Sequence, residues 1–165
     1  MITPEFVRTM AAYNAEMNRR WYDAAARMTD AERKADQGAF WRSIHGTLNH
    51  LLWADRMWLA RFGVGERPGV NLKQSDSLQA DFAALHDERV ALDATIEIWA
   101  QGVDAGWLAG DLAWISGATQ REMRKPRALV VVHFFNHQAH HRGQVHALLT
   151  GAGQATGDTD LPFVL

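Results

Sequence analysis

The stretch from Val130 to Leu149 reads Val-Val-Val-His-Phe-Phe-Asn-His-Gln-Ala-His-His-Arg-Gly-Gln-Val-His-Ala-Leu-Leu, and it predicts one long helix. It contains five of the eight histidines of the chain, namely His133, His137, His140, His141 and His146. His137 and His141 are four residues apart, so on a helix their rings lie one turn apart on the same face. This spacing lets both imidazoles reach one metal ion.

The histidine pair shares its helical face with apolar side chains, which predicts that both rings point inward. An inward pair at this spacing binds zinc in His-Glu-x-x-His helices. Here Gln138 follows His137, so the glutamate that acts as general base in metalloproteases is absent. A third ligand must come from another helix, and we predict His50, which has small neighbours on a second apolar helix. Three imidazoles would leave coordination positions open for water or substrate, as in catalytic sites.

The remaining histidines compete with this set or lie outside it. His133 precedes His137 by one turn and is an alternative ligand or pocket residue, although three consecutive turns diverge from a single ion. His140 lies at the edge of the face and is either a neighbour of the ligands or unrelated to them. We interpret His45, His86 and His146 as surface or packing residues.

Composition limits the classes of function. The chain has 165 residues, of which 47% are hydrophobic and 22% are charged, which favours a soluble single domain, residues 1–165. A net charge of -2 and scattered Lys and Arg residues argue against nucleic-acid binding. Without cysteine, a metal must be held by nitrogen and oxygen ligands. Since the chain shows neither a signal peptide nor a long apolar run, we expect no membrane association and a cytoplasmic location.

Helical periodicity predicts three further long helices. The first covers residues 4 to 28, with Thr3 as its N-cap and Pro4 at its first position. Thr29 to Glu32 have the sequence of a capping box. The second covers residues 40 to 62, and the third runs from about residue 78, capped by Asp76 or Ser77, to Gly102. Residues 63 to 76 form a long crossover connection.

The last part of the chain predicts a hairpin, a helix and an apolar tail. Leu112 to Met123 form a small hairpin, and the final helix runs from Pro126 to Gly151. The tail that ends in Leu161 to Leu165 is too apolar to remain in water, so we expect it to pack on the helices. Together these elements predict an all-α fold, a four-helix bundle with a long crossover.

Three charged residues occupy positions on apolar faces, which is costly unless the charges are paired. They are Asp55 on the second helix, Arg89 on the third and Arg142 on the fourth. We expect Asp55 to pair with Arg142, Arg89 or both. The alternative is that Asp55 orients a ligating imidazole through its second ring nitrogen.

Two stretches are distinctive, namely Ser43-Ile44-His45-Gly46-Thr47-Leu48-Asn49-His50-Leu51-Leu52-Trp53-Ala54-Asp55 and Phe135-Asn136-His137-Gln138-Ala139-His140-His141-Arg142-Gly143-Gln144. They resemble the DinB-like family of four-helix metalloproteins, which is related to the YfiT-like proteins. The resemblance covers almost the whole chain. It implies a bundle with a long crossover, often dimeric, that binds a divalent metal, commonly nickel or zinc. The ligands it implies are His50, His137 and His141.

The resemblance also implies a range of activities. Relatives include thiol S-transferases that use a low-molecular-weight thiol cofactor and a thiol-dependent isomerase. We expect a metal-dependent transferase that acts on a small molecule, with Gln144 available to hydrogen-bond a pocket ligand. The alternatives are a metal-dependent hydrolase and a non-catalytic, stress-associated homodimer whose metal is structural or incidental. The seven tryptophans are suited to a dimer interface as readily as to a core.

Overall fold

The computed structural model describes residues 1–117 and 119–165. In chain order its elements are α1 (Pro4–Ala26), α2 (Asp30–Lys34), α3 (Ile44–Arg61), a 3-10 helix (Leu72–Ser77), α4 (Phe82–Gly102), α5 (Ala105–Ala109), β1 (Asp111–Ile115), β2 (Glu122–Pro126), α6 (Arg127–Gly151) and α7 (Leu161–Val164). The long helices α1, α3, α4 and α6 form the predicted all-α four-helix bundle. In it, α1 packs along α4 and α3 packs along α6.

Side-chain caps determine where the first helices begin. The Thr3 hydroxyl accepts from the backbone N–H of Phe6, so α1 begins as predicted, and it ends two residues early at Ala26. The capping box at the start of α2 is present. The prediction that the next helix begins near Phe40 is wrong, because Ser43 caps α3 by accepting from Gly46. Residues before Ser43 instead form a tight turn in which Arg42 has a left-handed backbone with φ of 68°.

The crossover differs from the prediction at its end. Neither Asp76 nor Ser77 caps α4, because both lie in the 3-10 helix, Leu72–Ser77, which is itself capped by Asn71. Asp81 caps α4 instead, and its carboxylate accepts from the backbone N–H of Ala84 at 2.8 Å. The periodic leucine at position 78 therefore precedes the helix. The 3-10 helix packs beside α3.

The predicted hairpin is confirmed. Strands β1 and β2 pair antiparallel, from Asp111 opposite Pro126 to Ile115 opposite Glu122. Ala118, which the prediction included, lies outside the described residues. The helices bury a shared apolar core that contains, among others, Trp21, Leu52, Ile96 and Phe134.

The apolar tail packs on the helices only in part. Val164 packs against the core, and the Tyr13 hydroxyl donates to the carbonyl of Thr159 at 2.6 Å. Phe163, in contrast, is 73% exposed. In the described ranges, no helix is long and apolar enough to cross a membrane.

Candidate metal centre

Two helices bring three imidazoles together. His50 lies on α3, while His137 and His141 lie one turn apart on α6. One ring nitrogen from each histidine lies within 4.8 Å of the others. His50 and His141 are buried, and His137 is half-buried. The trio that was expected from the sequence is therefore assembled at one place, with one ring partly open to solvent.

A serine on the 3-10 helix determines the tautomer of His50. The Ser75 hydroxyl donates to the carbonyl of Leu72 at 2.8 Å, and it lies 2.8 Å from His50 Nδ1. Because its proton is engaged, the hydroxyl oxygen accepts from Nδ1. The lone pair of His50 is therefore at Nε2. Ser75 was not predicted from the sequence, because the loop pattern does not indicate which of its residues contacts α3.

Gln144 plays the same part for His141. Its side-chain oxygen lies 2.8 Å from His141 Nδ1. An amide oxygen only accepts, so Nδ1 carries the proton and Nε2 carries the lone pair. Gln144, which was expected to hydrogen-bond a pocket ligand, is therefore bonded to the His141 imidazole in this structure. A hydrogen bond at the ring nitrogen that does not bind metal orients a ligating histidine and raises its basicity.

The spacing of the ring nitrogens fits a metal ion. His50 Nε2 lies 3.4 Å from His137 Nε2. Two nitrogen ligands at zinc-ligand distance around a tetrahedral ion lie about 3.3 Å apart. His137 Nδ1 is buried and has no hydrogen-bond partner in the described part of the chain. The donor set therefore fits a divalent ion that accepts imidazole nitrogen.

The protonation of the three rings also fits metal binding. Burial lowers the pKa of His50 to about 3, and the neighbouring His141 and His137 add to the shift. Burial likewise lowers the pKa of His137 to about 3, with contributions from His141, His133 and His140. The pKa of His141 is lowered by burial too. All three imidazoles are consequently neutral at neutral pH, which is the form that binds metal.

Two indole rings flank His50. The Trp41 ring stacks on the imidazole with centroids 4.1 Å apart, and Trp53 is at 6.0 Å. Trp41 precedes the left-handed Arg42, and a Cβ at Gly46 would come within 2.4 Å of the Trp41 carbonyl oxygen. The glycine thus permits the turn to approach α3. Neither feature was predicted from the sequence.

The other histidines lie around or away from the trio. His133 is exposed, and its ring centroid lies 5.9 Å from that of His137, but it is not among the grouped nitrogens. The exposed ring of His140 is 4.8 Å from that of His141. His45 is buried against the carbonyl of Gln79, His86 stacks on Tyr22, and His146 packs near Trp21. The last three are packing residues.

Asp55 lies in a buried polar network, and in the described ranges it makes no hydrogen bond to an imidazole. Arg89 contacts Asp55 and Asp93, each at 2.7 Å. The Asn18 amide donates to Asp93 at 2.9 Å, and Asn14 donates to Gln138. Burial alone would lower the pKa of Arg89, but the two carboxylates outweigh it and the net shift is upward. This polar network joins all four long helices.

Arg142 makes no ion pair with Asp55 in the described ranges, so Arg89 is the one of the two expected partners that contacts this carboxylate. The Arg142 guanidinium is buried and lies 5.3 Å from the Tyr13 ring centroid and 5.7 Å from that of Trp21. Within the described ranges it makes no ion pair, and burial lowers its pKa to about 10. Aromatic faces attract a guanidinium, so Arg142 is held by rings rather than by a carboxylate.

Comparisons with known proteins agree with this architecture. The sequence model of the DinB family matches residues 1–165. The crystal structure of a DinB-like protein from Bacillus cereus superposes with a TM-score of 0.66 at 19% identity, covering 88% of this chain and 90% of that chain. At that identity the likeness shows a shared fold. No curated protein matches the chain.

Proposed function

The chain belongs to the DinB family, and we propose that it binds a divalent metal ion, zinc or nickel, through His50, His137 and His141 and uses it in enzymatic transfer of a thiol. One observation carries the proposal. Three neutral imidazoles bring one ring nitrogen each within 4.8 Å of the others. For His50 and His141, hydrogen bonds at Nδ1 leave the Nε2 lone pair free.

Three protein ligands leave room for a reactant. An ion with open positions is a Lewis acid that lowers the pKa of a bound water or thiol. The half-buried His137 is the member of the trio through which solvent and small molecules approach. Ser75 and Gln144 hold the other two rings in place. The chain thus supplies an orientated site with one accessible side.

The choice of a thiol rests on the absence of a carboxylate base at the site. The grouped residues in the described ranges are all histidines, and the buried Asp55 is engaged by Arg89 at 2.7 Å. A thiol has a pKa of about 8.5 whereas that of water is about 15.7, so a thiol needs less help to lose its proton. Thiol transfer is therefore favoured over hydrolysis. A low-molecular-weight thiol would be the cofactor.

Conjugation assays test this reaction. Metal-free protein, zinc-loaded protein and nickel-loaded protein are each incubated with 1-chloro-2,4-dinitrobenzene and one of several cellular thiols, and the aryl thioether is measured. We expect turnover with at least one thiol that requires metal and is lost in His50→Ala. The control variant is His86→Ala, which removes a histidine that does not belong to the trio, and it should keep the activity. Metal-bound protein that conjugates no thiol would refute the transferase assignment while leaving metal binding intact.

A second candidate is a metal-binding dimer without catalysis, and one surface favours it. Ile98 is 75% exposed and Val90 is 56% exposed, two turns apart on the same face of α4. In the described ranges three of the seven tryptophans are buried and four are half-buried, so partly accessible tryptophans are also available to an interface. Analytical ultracentrifugation separates the cases. A dimer that becomes monomeric in Ile98→Glu, together with no conjugation, would favour this candidate.

A further inference from the structure

A row of ring side chains leads away from the candidate metal centre along α3 and α6. His137 lies 5.9 Å from His133 between ring centroids, and His133 lies 5.1 Å from Trp58. Trp58 in turn lies 5.6 Å from Trp114 on β1. We call these four side chains the ring row. It connects the trio to the hairpin through contacts between neighbouring rings.

The ring row lies at the surface. His133 is exposed, and His137, Trp58 and Trp114 are half-buried. The pairs formed by Trp58 with His133 and with Trp114 are edge-to-face, with interplanar angles of 70° and 73°. Aromatic rings bind other planar groups by stacking or by edge contacts. The row therefore offers a solvent-accessible surface for a planar apolar group beside the metal site.

A cation ends the ring row. The Arg61 guanidinium lies 4.3 Å from the Trp58 ring centroid and 5.7 Å from that of Trp114. In the part of the chain that the structure describes, it has neither an ion pair nor a side-chain hydrogen bond. Arg56, on the same helix, pairs instead with Glu88 at 2.8 Å. The Arg61 donors are thus available to a ligand, whereas those of Arg56 are engaged.

The environment of Arg61 disfavours its charge. Burial lowers the pKa of Arg61 to about 10, and the neighbouring Arg67 contributes to the shift. A bound anion would offset both effects. A guanidinium presents paired N–H donors that match a carboxylate, and such charge-assisted bonds are stronger than neutral ones. The end of the row is therefore suited to a carboxylate.

We propose that the ring row is the substrate-binding surface of the metal centre and takes a small molecule with a planar apolar group and a carboxylate. The planar group lies on His133, Trp58 and Trp114, the carboxylate binds Arg61, and the reacting end lies toward His137. This assignment rests on the proposed function for its reaction. Its binding surface, however, exists with or without the ion.

Ligand titration followed by NMR tests the assignment. The probes are 3-phenylpropionate and its neutral amide, 3-phenylpropionamide, added to metal-free and to zinc-loaded protein. The indole N–H signals of Trp58 and Trp114 are assigned with Trp58→Phe and Trp114→Phe. We expect both signals to shift, with the acid binding about tenfold or more tightly than the amide, as a charged hydrogen bond implies.

Variants of two arginines on one helix provide the matched comparison. Arg61→Gln should abolish the preference for the acid, and Arg56→Gln should retain it. Thermal unfolding checks that each variant is folded. Arg61→Lys keeps the charge without the planar guanidinium, so it should retain a reduced preference for the acid. It replaces Arg61→Gln if that variant is unfolded. Equal affinity for acid and amide, an unchanged preference in Arg61→Gln, or shifts confined to other tryptophans would overturn the assignment.

The two proposals fail in different ways. Zinc stoichiometry is measured separately on the same samples, so absent zinc contradicts the metal function alone. Equal affinity for the acid and the amide in folded, zinc-loaded wild-type protein contradicts the ring-row assignment alone. Because the metal-free titration probes the row directly, the row is tested whatever the metal result.

Discussion

Two groups of polar side chains are buried in the same bundle, and they are used differently. In the network around Arg89, the carboxylates of Asp55 and Asp93 each face the guanidinium at 2.7 Å, and the Asn18 amide donates to Asp93. In the histidine trio, hydrogen bonds from outside fix the rings of His50 and His141. The polar groups of the network therefore pair with one another and join helices, whereas the Nε2 lone pairs of His50 and His141 are free to bind a metal ion.

Removal of a network carboxylate should give the largest change in stability. In Asp55→Ala, Arg89 loses one of its two partners, and breaking a buried pair costs about 3 kcal/mol or more of unfolding free energy. Zinc stoichiometry should not change. Urea unfolding of metal-free protein measures the first quantity, and metal analysis measures the second.

The exposed pair of Asp30 and Lys34, at 2.7 Å, provides the control. Asp30→Ala should cost less than about 1 kcal/mol, because a solvent-exposed ion pair contributes little. If Asp55→Ala cost no more than Asp30→Ala, the network would not join the helices as described. If it released the metal from a folded protein, the two regions would not be separate in function.

Removal of an imidazole from the trio should weaken metal binding without unfolding the protein. His137→Ala should weaken zinc binding by more than the roughly 100-fold that loss of a supporting hydrogen bond costs, because a ligand itself is lost. The metal-free variant should remain folded, since His137 is half-buried and lies outside the network. Competition titration with a chelator measures the affinity, and His86→Ala serves as the control. Equal zinc affinity in the two variants would exclude His137 as a ligand.

Much of the fold and the trio could be predicted because periodicity carries that information. The four-residue spacing of His137 and His141 places both on one face of α6 without knowledge of any other element. His50 was found in the same way, by its position on α3. The misplaced start of α4 shows the limit, because Leu78 continues the apolar period but Asp81 provides the cap that begins the helix.

Long-range partners were not predictable in this manner. Ser75 lies 25 positions from His50 in the sequence, in a stretch that predicts only a loop, and its contact depends on how the 3-10 helix packs on α3. Asp55 was expected to pair with Arg89, Arg142 or both, and the periodic pattern could not choose between them. The choice depends on the rotation of α4 and α6 about α3, and the rings of Tyr13 and Trp21 occupy the space around Arg142.

Removal of a supporting hydrogen bond should give an intermediate effect. Ser75→Ala frees His50 Nδ1, so the ring is no longer held in the required tautomer. Zinc affinity should fall by about 10-fold to 100-fold. Ser77→Ala, on the same 3-10 helix, removes a hydroxyl that donates to Gln74 and should leave the affinity unchanged. If the two serine variants behaved alike, the bond to His50 would have no role in metal binding.

The last prediction concerns pH. Burial lowers the pKa of His50 and His137 to about 3 in the folded protein, against about 6.5 for an unperturbed histidine. Between these values the unfolded chain binds more protons, so the stability of metal-free protein should fall as pH is lowered through that window. Melting temperatures measured in chelator at several pH values should show a shallower slope for His137→Ala. Equal slopes for the wild type and His137→Ala would contradict the lowered pKa of His137.

The metal content of untagged wild-type protein tests the central claim most directly. Protein purified without a polyhistidine tag and without chelator is analysed by mass spectrometry under native conditions and by elemental analysis. We predict one equivalent of a divalent ion per chain, zinc or nickel, and none in His137→Ala purified in the same way. A wild-type protein that contains no metal and takes up none on addition of either ion would contradict the account.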